Sequence, residues 1–236
     1  MTRRLLPIVG LMTVLAAGAA TAADVSALRT MPVVSSSYNW TGCYVGINAG
    51  GIADRSNLVA RWADGGLFGG QGGCNYQIDH IVVGLELEGM WSGASATLTA
   101  ATFGGPGATV TTFKNEWDAD LAFRFGLAYD RFVIYEKIGV LWGDNQFNNV
   151  APQFGGGAIA QSGSVTTPGL MWGFGVEYGL LPKWTVKIES DFAYLAGKDM
   201  NLSCVAVAPA SCIGQNSIIS TNAWTALYKI GLNYRL

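Results

Sequence analysis

The chain has 236 residues, 50% hydrophobic and 13% charged, with 32 glycines and a formal net charge of −2. Ordinary globular domains carry about 25% charged residues and about 7% Gly, so here charge is halved and glycine doubled. This composition excludes a disordered chain, which pairs low hydrophobicity with high net charge. It also excludes a collagen, since no Gly-X-Y period is present, and a nucleic-acid binder, since Lys and Arg do not cluster.

Arg3 and Arg4 precede an apolar run from Leu5 to Ala20, and Ala20-Thr21-Ala22 is a small-residue cleavage site. Residues 1–22 therefore read as a secretory signal peptide, and residues 23–38 as a polar periplasmic linker. Cleavage removes two of the 14 basic residues, leaving 12 against 16 acidic ones and a net charge of −4. No stretch of about 20 consecutive apolar residues follows, so no spanning helix is predicted. An exported apolar chain without spanning helices has one other route into a bilayer, the β-barrel.

Period-two alternation supplies the strands. Weaker segments run from Trp40 to Gly50 and from Phe68 to Gln77. Ile81 to Trp91 sets Ile81, Val83, Leu85 and Leu87 against Gly84, Glu86 and Glu88. Trp117 to Asp130 is the clearest, with Trp117, Leu121, Phe123, Phe125, Leu127 and Tyr129 opposed to Asp118, Asp120, Arg124 and Asp130. Phe132 to Gly143, Leu170 to Leu180, Trp184 to Tyr194 and Asn222 to Leu236 complete a predicted set of eight. Short connections (78–80, 130–131, 181–183) alternate with long ones (51–66, 95–113, 144–168, 197–221). That alternation predicts short periplasmic turns and four long extracellular loops. The fold class is all-β, an eight-stranded antiparallel up-and-down transmembrane barrel over residues 39–236.

Alternation alone fits a soluble barrel with an apolar lumen equally well. Three features favour apolar-out. Glycines crowd the polar face, as a narrow lumen requires. Trp40, Trp91, Trp117, Trp142, Trp172, Trp184, Tyr129 and Tyr234 lie near strand ends, as an interfacial girdle does. The last strand carries an apolar stripe from Tyr228 to Leu236. Glu136 falls on the outward parity; either it lies near the headgroups or a bulge shifts the register there.

Inward parity gathers Glu86, Glu88, Asp118, Asp120, Arg124, Lys137, Glu177, Lys187, Glu189, Asp191 and Lys229 into a predicted lumen network. Seven acids and four bases in so narrow a lumen should largely neutralise and fill it. The pairs Glu86/Glu88 and Asp118/Asp120 also have the i,i+2 spacing of a glycosidase-like acid pair, but the lumen network is the simpler account. The single histidine, His80, lies in a short turn, no CxxC occurs, and Gly69-Gly70-Gln71-Gly72-Gly73 precedes no helix. No catalytic site, cofactor or metal is expected. Cys204 and Cys212 share one loop, where a disulfide would staple it. If Gly50 pairs with Leu67, Cys43 faces Cys74, giving either a cross-strand disulfide or two lipid-facing thiols.

Tyr38-Asn39-Trp40-Thr41-Gly42 with Tyr44-Val45-Gly46, then Gly175-Val176-Glu177-Tyr178, then Lys229-Ile230-Gly231-Leu232-Asn233-Tyr234-Arg235, resemble the small porin-like surface barrels of alphaproteobacteria. That group contains the Brucella-type outer-membrane surface antigens. The resemblance, over roughly Tyr38 to Leu236, implies an outer-membrane location and insertion by the barrel-assembly machinery. A structural and surface-display role with a plugged lumen is the expected function; a narrow small-solute porin and a loop-mediated adhesin are the alternatives. Partners are expected to be outer-membrane lipid and small solutes or surface ligands, and not nucleic acid.

Overall fold

A computed structural model describes residues 38–58, 62–101, 107–207, 210, 212 and 217–236. The predicted signal peptide and residues 23–37 of the predicted linker lie outside the described residues. Among the described residues nine strands follow in chain order: β1 (Gly42–Ser56), β2 (Ala63–Ile78), β3 (Ile81–Ser92), β4 (Ser95–Ala101), β5 (Ala108–Tyr129), β6 (Phe132–Pro152), β7 (Ala158–Leu181), β8 (Trp184–Val207) and β9 (Ser217–Arg235). All pairings are antiparallel, and β1 pairs with both β2 and β9, so the sheet closes on itself.

The count differs from the predicted eight because one stave is broken. β3 and β4 both pair with β5, on either side of Gly93-Ala94. The break faces a register shift in β5 between Asn115 and Trp117, where one extra residue, Glu116, bends the ladder as a bulge does. Nine strands thus make eight staves. Following paired residues round the barrel from Asp118 through Met90, Gly69, Asn48, Gly231, Lys187, Glu177 and Val133 returns to β5 at Ala128. The return is displaced by ten residues (118 to 128), and such a stagger tilts the strands by roughly 40°.

Outward parity carries the apolar residues. Val45, Leu85, Leu87, Phe123, Phe125, Ile138, Leu170, Phe174, Ile188 and Ile230 are all exposed. Aromatic residues bound this belt at two levels. Phe132 and Trp142 on β6, Trp184 and Tyr194 on β8, and Tyr234 and Trp224 on β9 are each ten residues apart. At about 3.3 Å per residue and roughly 40° of tilt, ten residues rise about 25 Å, the height of an outer-membrane apolar band. Beyond the upper aromatics the outward positions turn polar, at Lys114, Glu116, Asp144, Lys198 and Asp199.

The four long connections are not irregular loops. β5 to β8 run for 22, 21, 24 and 24 residues, twice what the bilayer needs. Predicted loop segments such as 108–113 and 144–152 continue the ladder, from Asn145 opposite Asn115 to Val150 opposite Val110. β-branched runs such as Thr109-Val110-Thr111-Thr112 favour extended backbone even where both faces meet water.

Candidate functional site: the barrel interior

The interior is built in layers. At the periplasmic mouth Tyr38, Trp40, Val82, Ala128, Val133 and Tyr135 form a buried cluster. Trp40 was expected in the outward girdle, but it is 1% exposed inside the mouth. Its indole N–H donates to the Asp130 carbonyl at 3.2 Å and its backbone N–H to Gln77 Oε1 at 2.8 Å. Trp40 precedes β1, so strand parity never applied to it.

Above the mouth cluster lies a charged layer. Arg124 reaches Glu177 Oε2 at 2.8 Å and Glu86 Oε2 at 3.3 Å, donates to the Tyr44 hydroxyl, and stacks 3.9 Å from the centre of the Tyr135 ring. Tyr44 in turn donates to Glu86 at 2.5 Å, and Tyr135 to Glu189 at 2.7 Å. The three lysines interleave with carboxylates. Lys137 contacts Glu86 at 2.9 Å and Glu189 at 3.1 Å; Lys187 contacts Glu88 at 2.6 Å and Glu86 at 3.1 Å. Lys229 contacts Glu88, Asp191 at 2.6 Å and Glu189 at 2.8 Å. Glu177 also accepts hydrogen bonds from Thr185 and from Asn233 at 2.9 Å. Strand periodicity explains the gathering, because 187, 189 and 191 on β8, 86 and 88 on β3, and 120 and 124 on β5 all share the inner face.

Glycines make room for this layer. A Cβ on Gly175 would lie 2.5 Å from the Tyr135 ring, and one on Gly73 would lie 2.6 Å from the Tyr44 hydroxyl. The carboxylates of Glu86, Glu88 and Glu189 lie within 4.8 Å of one another, close enough to hold a metal ion. The ammoniums of Lys137, Lys187 and Lys229 already neutralise them.

Of the eleven predicted lumen residues, ten join this layer. Asp118 stands apart, outward along the barrel, accepting a hydrogen bond from Asn115 Nδ2 at 3.1 Å with no ion pair among the described residues. Asp54 is an interior carboxylate that the sequence reading missed, because it ended the first strand at Gly50. Also missed was an apolar layer on the extracellular side of the charges, with Leu67, Met90, Leu141, Met171 and Leu227 all 5% exposed or less. Each of the last three interrupts alternation, in Val140-Leu141-Trp142, Leu170-Met171-Trp172 and Ala226-Leu227-Tyr228. A triplet of consecutive apolar residues was the available signal.

Cys43 and Cys74 face each other across β1 and β2 and are joined by a disulfide on the outer surface; Cys204 and Cys212 are joined at the tip of β8 and β9. Glu136 pairs in unshifted register between Phe125 and Phe174 and faces outward, four residues above Phe132, inside the apolar belt. His80 sits in the periplasmic turn, its Nδ1 3.2 Å from the Ala128 carbonyl, stacked on Tyr129.

A family model described as the outer membrane protein beta-barrel domain matches residues 10–235. The chain belongs to this outer-membrane barrel family. Two relatives, the 31 kDa outer-membrane immunogenic proteins of Brucella melitensis and Brucella suis, are each 29% identical over 93% of this chain and 94% of theirs. The outer membrane protease OmpT from Escherichia coli superposes with a TM-score of 0.53 at 10% identity, covering 83% of this chain and 97% of that one. At that identity the likeness is one of fold. The family places this barrel in the bacterial outer membrane, with the apolar belt against lipid.

Proposed function

We propose that this outer-membrane barrel is a structural element of the envelope that displays its extracellular strands at the cell surface, with an interior closed to solutes. The observation that carries this reading is the stacking of three filled layers: the aromatic mouth, the ion-paired layer and the apolar layer. A conducting pore needs a continuous polar path, and the buried apolar side chains Leu67, Met90, Leu141, Met171 and Leu227, on the extracellular side of the charges, favour a closed one. Surface display is favoured by the height of β5–β8 and by apolar side chains exposed at the extracellular end, Phe154 between β6 and β7, Val205 on β8 and Ile218 on β9. No enzymatic role is proposed, because the only histidine lies at the periplasmic rim and Glu86, Glu88, Asp120, Glu177, Glu189 and Asp191 are tied to lysines or to Arg124. Residues 1–22 act in this reading as a cleaved export signal, residues 23–38 as a periplasmic linker, and the barrel-assembly machinery inserts the rest.

Liposome swelling tests the closed interior. Vesicles carrying the folded protein should swell in small sugars no faster than protein-free vesicles. A swelling rate that rises with protein content would support the narrow porin instead.

A further inference from the structure

Asp118, Asn115 and Asn145 occupy one patch of the inner wall. Asn115 and Asn145 are direct partners across β5 and β6, and Asp118 faces Gly143, which faces Thr167 on β7. All four side chains are 1% exposed. Asn115 Oδ1, Asn145 Oδ1, Asp118 Oδ2 and Thr167 Oγ1 are buried without a hydrogen-bond partner among the described residues. Every one is an oxygen able to accept. A second carboxylate, Asp54 on β1, is fully buried and close enough to repel Asp118 electrostatically. The interior cations Arg124, Lys137, Lys187 and Lys229 are each engaged by other carboxylates, and none lies within 4.0 Å of Asp54 or Asp118.

Two needs coincide at this patch. Buried acceptors require donors, and two buried carboxylates require neutralising, by a proton or by a cation. Water supplies only the first, and one proton on a carboxyl leaves most of these acceptor oxygens unfilled, whereas a cation meets both needs. We propose that Asp118, Asn115, Asn145 and Thr167, with Asp54, form a buried site for a hard divalent cation of the calcium class. Carboxylate, amide and hydroxyl oxygens are the ligands such a cation selects, and it takes six to eight of them. The patch lies beside Trp117 and Trp142, at the extracellular edge of the apolar belt, so the ion ties β5, β6 and β7 to β1 where the strands leave the membrane. The site does not depend on whether the lumen conducts.

The test uses the folded full barrel in detergent, stripped with chelator and titrated with terbium while Trp is excited. Trp117 and Trp142 should sensitise a saturable terbium signal that Ca2+ displaces, and Ca2+ should raise the unfolding temperature. Asp118→Asn should weaken binding at least tenfold, Asn145→Asp should tighten it, and Glu116→Gln, on the outer face of the same strand, should leave it unchanged. Should Asp118→Asn fail to fold, Asn145→Leu gives the same reading, with binding lost. No saturable signal, a signal retained in Asp118→Asn, or an Asn145→Asp barrel equally destabilised with and without Ca2+ would overturn the site.

Discussion

The Lys137 ammonium lies within 4.0 Å of carboxylate oxygens from Glu86, Glu88, Asp120, Glu189 and Asp191. Replacing it with Met would remove the charge and keep most of the volume, leaving those carboxylates under-compensated in a buried site. The expected loss is about 3–5 kcal/mol, read from urea unfolding of the barrel in lipid vesicles. Unchanged stability would mean that water or another cation neutralises the layer. Glu136 presents the opposite case. It faces lipid from within the belt, four residues above Phe132 and six below Trp142, with no described partner. Glu136→Leu should therefore stabilise the barrel by roughly 1–2 kcal/mol, less than a lipid-facing Arg or Lys costs at the midplane. A destabilised variant would show that Glu136 has a partner outside this chain.

At the scale of the element, legibility followed the contrast between the two faces of each strand. Between the girdles one face meets lipid and the other a polar interior, so Trp117 to Asp130 is plain from the residues alone. Beyond Trp117 both faces become mixed, and Thr109 to Thr112 read as a loop although they continue β5. The same loss of contrast hid Asp54, and it hid Leu141 and Met171, whose neighbours are apolar on both sides. Register was legible where a hairpin closed it, since Gly50 pairs with Leu67 and Cys43 with Cys74. Hydrogen exchange checks the extended ladders. Amides at 110–114 and 146–150 should exchange slowly, as ladder donors do; exchange as fast as in an open loop would contradict strands beyond the membrane. The disulfides should also differ in weight. Cys43–Cys74 closes a 31-residue separation within the barrel wall and Cys204–Cys212 one of 8 at a tip. Paired serine substitution at 43 and 74 should cost about 2–4 kcal/mol, and at 204 and 212 should leave unfolding of the membrane part unchanged.

For the whole molecule, low charge and abundant glycine now have distinct locations. The belt between the girdles, with Glu136 its one charged outward position among the described residues, accounts for the first. The second reflects in part a narrow interior in which Tyr44 and Tyr135 fit only because Gly73 and Gly175 carry no side chains. The remaining charge converges inside, between Trp40 below and Leu141 and Met171 above, which in the proposed reading close the interior. Single-channel recording in planar bilayers tests that closure most directly. The wild-type barrel should give no stable conductance steps, and a Leu141→Gly, Met171→Gly variant, whose apolar layer is thinned, should flicker open. Reproducible, long-lived steps from the wild type would contradict a closed interior.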